Sequence, residues 1–294
     1  MTIDEFGWQP GSERDGPGSV PDENINMAIW SQEPIISNFS DKMGTLDRGE
    51  ETVLCRVAQD VRNKPILDLG VGGGRTVPIL CLLSEDYIGV DYTQAMVDLC
   101  RTRYPERSFR HLDARDLAVL PSAHFHLVFF SFNGIDTVGH DDRLGIIAEV
   151  RRVVAPGGYF VFNSHNYDGP DLWNRPWHLR PTPTVSAVGL RRTASHAIRQ
   201  VISLPKNLAN YRRLARLSVD DGRYAFASNP AHNYGLLMYY GARGHTAALL
   251  KRFGFDTVEV FTNSGEPVDD GSDVRSHPWL YYVARVTARV EHDD

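Results

Sequence analysis

Cysteine is scarce in this chain, with Cys55, Cys81 and Cys100 the only three among 294 residues. Their odd number and wide spacing argue against a disulfide framework and a cysteine-based zinc site, leaving them as packing residues of a reducing compartment. Long apolar runs are missing as well, and no stretch approaches the roughly 18 residues that a membrane-spanning helix needs. There is no excess of positive charge either. The formal net charge of −6 disfavours wholesale nucleic-acid binding, although an average can hide a local patch. The amino terminus, MTIDEFGWQPGSERDGPGSVPDEN, has acidic residues, Gly, Pro and Ser where a secretory leader would carry basic residues and an apolar block, so a cytoplasmic protein is expected.

What is present is ordinary for a globular protein: 42% hydrophobic and 23% charged residues, enough for one large domain with additions. Residues 1–24 read as a loosely ordered tail rich in Gly, Pro and charge. A helical cover is expected over 25–64, since Val53, Leu54, Val57, Ala58 and Val61 recur at helical spacing. From 65 to 167 short apolar runs alternate with helical patterns, the signature of strand–helix–strand units around a parallel sheet. Strands are expected at 66–69, 87–90, 109–112, 127–130 and 159–162, with helices at 76–84, 94–103 and 141–154, the last stopped by the APGG turn. An insertion, expected to form a helical cap, occupies 168–242. A helix and two more strands in 243–294 would complete a seven-stranded, doubly wound, mostly parallel α/β sheet.

The sequence ILDLGVGGGRT, 66–76, packs four glycines into five positions between an apolar run and a helix. In open α/β sheets ligands bind beyond the carboxyl ends of the strands, and a glycine-rich first turn lets backbone approach them. The dinucleotide pattern GxGxxG would need glycine where Arg75 stands, and no Lys followed by Ser or Thr closes a phosphate loop. The spacing present is Asp68-x-Gly70-x-Gly72-x-Gly74.

That spacing resembles the class I S-adenosylmethionine-dependent methyltransferases of the small-molecule type, whose first motif is an acidic residue followed by GxGxG. The resemblance covers about 64–163 and, more weakly, the last two strands. It implies a Rossmann-like methyltransferase fold, S-adenosyl-L-methionine as cofactor and S-adenosyl-L-homocysteine as product. Asp91, closing the second strand with Tyr92 after it, would hold the ribose hydroxyls. Asp113, with Ala114, matches the acidic contact to the adenine amino group, and Ser131 lies where the family lines the path from cofactor to acceptor. Arg75 would either reach the methionine carboxylate or sit in solvent. The alternative for Asp91 and Asp113 is that they cap helices.

A sulfonium methyl is already activated, so a base is needed only when the acceptor must lose a proton. His140, beyond the fourth strand, and His165, beyond the fifth, are the candidate bases, both expected on the cofactor side of the sheet; otherwise they cap a helix or bond backbone in a turn. Asn133 and Asn166 suit hydrogen bonding to substrate or cofactor as well as simple turns. His232, Asn233, Tyr234, Tyr239 and Tyr240 gather polar-tipped aromatics that suit an acceptor pocket or the edge of a core. His124 and His126 share a strand face, but no partners complete a metal set, so no metal is expected.

Between Leu172 and Leu217 there is no Asp or Glu against nine Arg or Lys. This suits an anionic small-molecule acceptor or a carrier-protein surface, or equally a solvated amphipathic cap; the aromatic and basic interleaving that nucleic acid requires is thin. Methyl transfer to nitrogen, oxygen or carbon of a small metabolite, acidic or not, is the expectation. Two alternatives stand beside it: aminocarboxypropyl transfer or cyclisation releasing methylthioadenosine, and a non-catalytic S-adenosylmethionine-binding protein. Neither membrane association nor an oligomeric state is indicated.

Overall fold

The computed structural model describes residues 44–178, 189–230 and 233–287, apart from the side chains of 189–201. The expected tail at 1–24, the first part of the cover at 25–43 and His232 lie outside the described residues. Among the described residues, no helix is long and apolar enough to cross a membrane.

The described chain opens with helix α1 (Arg48–Val61), whose start is specified locally. The Asp47 carboxylate accepts from the Glu50 N–H at 2.9 Å, and the Glu50 carboxylate accepts from the Asp47 N–H at 3.1 Å, which together satisfy two otherwise unpaired amides. There follow β1 (Ile66–Leu69), α2 (Val77–Leu83), β2 (Tyr87–Asp91), α3 (Gln94–Arg103), β3 (Ser108–His111) and β4 (Phe125–Phe130). A 3₁₀ turn (Gly134–Thr137) leads into α4 (His140–Val153) and β5 (Val154–Asn166). The insertion carries α5 (Gly189–Ala215) and strands β6 (Val219–Asp220), β7 (Tyr224–Ser228) and β8 (Leu237–Gly241); α6 (Arg243–Arg252), β9 (Thr257–Thr262) and β10 (Trp279–Arg285) end the described chain.

Strands β3, β2, β1, β4 and β5 are parallel neighbours in that order, and antiparallel β10 joins β5 to β9. These are the seven strands expected. Among the described residues the sheet nevertheless has ten, because the insertion adds an antiparallel meander, β8-β7-β6, instead of a purely helical cap. The APGG segment also differs from the expected turn. It lies within β5, where Gly157 adopts φ +80° and the pairing with β4 shifts register between Phe125 and Leu127, so the proline and glycines make a bulge.

Alternation along the strands divides the core into two layers. Ile66, Leu127, Phe129, Tyr159 and Val161 pack with α1, α2 and α3, while Leu67, Leu69, Val128, Phe130, Phe160 and Phe162 pack with α4 and α6. The placement of β8 matters most for function. His165 of β5 pairs with Trp279 of β10 on one edge and with Tyr240 of β8 on the other. Strand β4 pairs with β5 only as far as Phe162, so β8 takes the edge that β4 leaves free and lies beside the 3₁₀ turn that follows β4.

Candidate functional site

The sheet order places β1 between β2 and β4, so consecutive connections leave it in opposite directions at its carboxyl end, where α/β sheets hold ligands. The glycine turn sits there. Gly70, Gly72 and Gly74 all have positive φ, at +62°, +52° and +85°. A Cβ on Gly74 would stand 2.7 Å from the Tyr104 ring, whereas a Cβ on Gly72 would meet nothing closer than the Gly70 carbonyl at 3.9 Å. Gly74 is thus required by packing, and Gly72 borders open space.

The turn is held from below by α3 and its end. The Cys100 thiol reaches the Gly72 carbonyl at 3.1 Å, the Arg103 guanidinium donates to the Gly73 carbonyl at 2.7 Å, and the Tyr104 hydroxyl to the Gly74 carbonyl at 3.1 Å. From the side, the Asp91 carboxylate accepts from the Gly72 N–H at 2.9 Å and the Thr93 N–H at 2.8 Å. Each oxygen keeps accepting capacity for a further donor. Burial pushes the Asp91 carboxyl above its ordinary range, against the hydrogen bonds that stabilise its charge.

Asp68 is buried and accepts through Oδ2 from the Thr76 hydroxyl at 2.7 Å and the Tyr87 hydroxyl at 2.9 Å. Its Oδ1, by contrast, is a buried oxygen without a hydrogen-bond partner. Burial raises the carboxyl from 3.8 to about 6. Asp113, just past β3, is engaged by Arg115 through Nε, at 3.1 Å to both oxygens, and through a terminal nitrogen at 2.7 Å. Burial works against its charge, but Arg115 outweighs burial and holds the carboxyl below its ordinary range. Ala114 is partly buried against the α4-side core. The Tyr92 carbonyl bonds to His111 Nε2 at 2.8 Å, and burial pushes the Tyr92 phenol upward.

Arg75 is buried and does not sit in solvent. Its terminal nitrogens make a bidentate pair with Glu50 at 2.6 Å each, and donate to the Thr45 carbonyl at 2.6 Å and to the Ser131 hydroxyl at 3.1 Å. Burial opposes the charge, but Glu50 outweighs it and the guanidinium is held above its ordinary value. The cation also lies 5.1 Å from the centre of the Phe132 ring. Phe132 and Asn133 are consecutive left-handed residues at φ +56° and +57°. Asn163 steadies them, accepting from the Asn133 N–H at 2.9 Å and donating to the Asn133 side chain at 2.8 Å.

The two candidate bases lie on different faces. His140 starts α4 on the side away from the glycine turn's helices, stacked 4.0 Å from Tyr224 and 5.9 Å from Tyr239, with Nδ1 3.1 Å from the Tyr239 hydroxyl. Burial lowers its imidazole to about 4. It therefore sits neutral in an aromatic stack at the start of the helix that follows β4. His165 shares its face with Asn163 and, by the β4–β5 register, with Ser131. Its Nδ1 lies 2.8 Å from Asp136 Oδ2, and Asn229 Nδ2 lies 3.1 Å from its Nε2. Asn229 also donates to the Tyr240 hydroxyl at 3.0 Å.

Tyr234 is buried and left-handed, its hydroxyl 3.4 Å from Asn174 and its ring edge-on to Tyr211. Asn233 is exposed, and its carbonyl accepts from Asn210 of α5 at 3.0 Å; it ties the loop to the helix. Asn166 bonds the Val274 and His277 carbonyls at 2.8 and 3.0 Å, as a backbone-holding residue.

Sequence reasoning missed Glu50, Asp136, Arg143, Asn163 and Asn229. Glu50 had a signal, since an Asp followed three residues later by Glu marks a helix start, but its second role needs the fold. Asn163 and Asn229 have partners distant in sequence, and Asp136 and Arg143, though seven residues apart, are brought together by the turn before α4, which no local pattern marks.

An open sheet with a glycine turn at its switch point, and carboxylates at successive strand ends, defines a Rossmann-like α/β class of protein. Residues 67–162 match the family described as "Methyltransferase domain". A Mycolicibacterium smegmatis protein named "Probable S-adenosylmethionine-dependent methyltransferase" is 28% identical over 161 residues, 53% of this chain and 61% of that protein. The match thus spans about three fifths of the relative's length.

Solved structures share the fold. The Burkholderia thailandensis 1,6-didemethyltoxoflavin-N1-methyltransferase, crystallised with 1,6-didemethyltoxoflavin and S-adenosylhomocysteine, is 14% identical with a TM-score of 0.53, covering 95% of this chain and 93% of its own. The CcbJ methyltransferase of Streptomyces caelestis is 18% identical with a TM-score of 0.52, covering 91% and 100%.

Proposed function

We propose that this chain transfers the methyl group of S-adenosylmethionine to a nitrogen, oxygen or carbon of a small molecule, leaving S-adenosylhomocysteine. The observation that carries this reading is the glycine turn. It is clasped to Asp91, borders open space at Gly72, and lies beside a buried Asp68 oxygen that lacks a donor. These features suit a ligand with ribose hydroxyls and cationic N–H groups. Asp91 would accept from the ribose and Asp113 from the adenine amino group, with Tyr92 and Ala114 flanking the base. Asp68 Oδ1 supplies an anionic acceptor for the amino-acid end. With its terminal donors committed, Arg75 acts by fixing Glu50, Thr45 and Ser131 around the site.

The bound donor supplies a methyl group on a positively charged sulfur, so the protein's task is alignment and exclusion of water. Strand β8 pairs with the end of β5, which supports an acceptor pocket that draws on Ser131, Asn133, Tyr234 and Tyr240. A small-molecule acceptor accords with the ligand of the Burkholderia protein. The insertion's lack of acidic residues between Leu172 and Leu217 favours an anionic one.

Product analysis tests the reaction. When the protein is incubated with S-adenosylmethionine and a pool of cellular small molecules, S-adenosylhomocysteine should accumulate in proportion to enzyme. Release of methylthioadenosine in its place would overturn methyl transfer in favour of attack at another carbon of the sulfonium.

A further inference from the structure

Asp136, in the turn between β4 and α4, is fully buried and has every accepting direction pointed at a partner. Oδ1 accepts from Arg143 at 2.6 Å and the Ser164 hydroxyl at 2.7 Å. Oδ2 accepts from the His165 N–H at 2.7 Å and faces His165 Nδ1 at 2.8 Å. Arg143 is itself fully buried, donates also to Ser164 at 3.1 Å, and lies 4.3 Å from the centre of the Tyr239 ring. The pair is costly to bury, yet its free end is delivered to one imidazole.

A carboxylate beside Nδ1 holds the ring proton there, and Nε2 is left as an acceptor. Asn229 Nδ2 marks the direction of that lone pair. Its loop is closed by two backbone bonds, Asn229 N–H to the Leu236 carbonyl at 2.9 Å and Tyr234 N–H to the Asn229 carbonyl at 3.0 Å. His165 lies two residues beyond Asn163, which holds Asn133 in the loop just past Ser131, and it pairs with Tyr240 of β8.

We propose that Asp136 is a positioning residue that fixes the His165 proton on Nδ1, so that Nε2 takes the proton of an N–H or O–H acceptor bound beneath the insertion. This rests on the methyl-transfer reading and narrows it to protic acceptors. In the step, the acceptor's X–H bond breaks, its electron pair stays on X, and the proton moves to Nε2; Asp136 then faces the imidazolium through Oδ2 and Arg143 through Oδ1. The acceptor's donor group replaces the Asn229 N–H at Nε2, while Asn229 keeps its donation to the Tyr240 hydroxyl.

Nitrogen-15 spectra of the full chain with labelled histidine, recorded in alkaline buffer, read the tautomer without any acceptor. A free histidine side chain favours its proton on Nε2. His165 in the wild type should show the reverse by at least about tenfold, and Asp136→Asn should bring that ratio below about threefold. A wild-type His165 protonated on Nε2 overturns the proposal, and needs no variant to fold.

Carbethoxylation of His165 by diethyl pyrocarbonate, followed by mass spectrometry, tests where Nε2 faces. Asn229→Ala should speed it about tenfold or more, and an unchanged rate in a folded variant overturns the placement. Calorimetry with S-adenosylhomocysteine separates the two readings. Binding by the wild type that Asp136→Asn leaves within about twofold, combined with the wrong tautomer, defeats this proposal alone; no binding by the wild type defeats the methyl-transfer reading beneath it.

Discussion

Gly72 and Gly74 share a left-handed backbone and differ in what a methyl group would meet. Alanine at either position pays about 1–2 kcal/mol for its φ. At Gly74 the Tyr104 ring at 2.7 Å adds an overpacking cost, so Gly74→Ala should lose about 3 kcal/mol in urea unfolding. Gly72→Ala should lose only the backbone part, while its S-adenosylhomocysteine affinity in calorimetry falls disproportionately. Equal losses of stability with unaltered binding would show that no ligand approaches Gly72. Asp68 gives a pH signature. Burial raises its carboxyl from 3.8 to about 6, so the folded chain holds a proton that the unfolded chain releases. The ionisation cost is absent below about pH 3.8 and fully present above about pH 6, on the order of 3 kcal/mol. Relative to Asp68→Asn, the wild type should therefore lose stability as pH rises through that window; parallel unfolding curves would contradict it.

Helix α1 depends on one buried contact. Glu50 caps its own helix and forms the bidentate pair with Arg75, so Glu50→Ala leaves a buried guanidinium unbalanced. The expected cost is about 3–5 kcal/mol in urea unfolding, and a loss under about 1 kcal/mol would show that α1 docks without the pair. The elements themselves were largely legible in the sequence. Strand β1 and helix α3 fall at their expected residues, because apolar runs and helical spacing report burial directly. The meander of the insertion was not legible. Met238, Tyr239 and Tyr240 are buried on both faces of β8, so no alternation marks a strand there, and the polar-tipped aromatics read as a pocket wall. The APGG bulge was hidden for a related reason, since proline and glycine signal a turn wherever the partner strand is unknown.

At the scale of the molecule, the site divides into a part written locally and a part made by the fold. The glycine turn and the strand-end carboxylates follow one another along the chain, and their order alone carried the resemblance to S-adenosylmethionine-dependent methyltransferases. The proposed acceptor side joins Asp136, His165, Asn229 and Tyr240 across 104 residues of sequence, brought together where β8 takes the edge that β4 vacates. That division is why donor chemistry can be read from the sequence and acceptor chemistry cannot. Calorimetry with S-adenosylhomocysteine on the wild type and Asp91→Ala, each checked for thermal unfolding, addresses the donor side most directly. One ligand should bind per chain, and the variant should bind about tenfold to a hundredfold more weakly, as expected when a charged acceptor of hydrogen bonds is removed. Absence of binding by the wild type, or equal affinity in the folded variant, would contradict a cofactor cradle at the glycine turn.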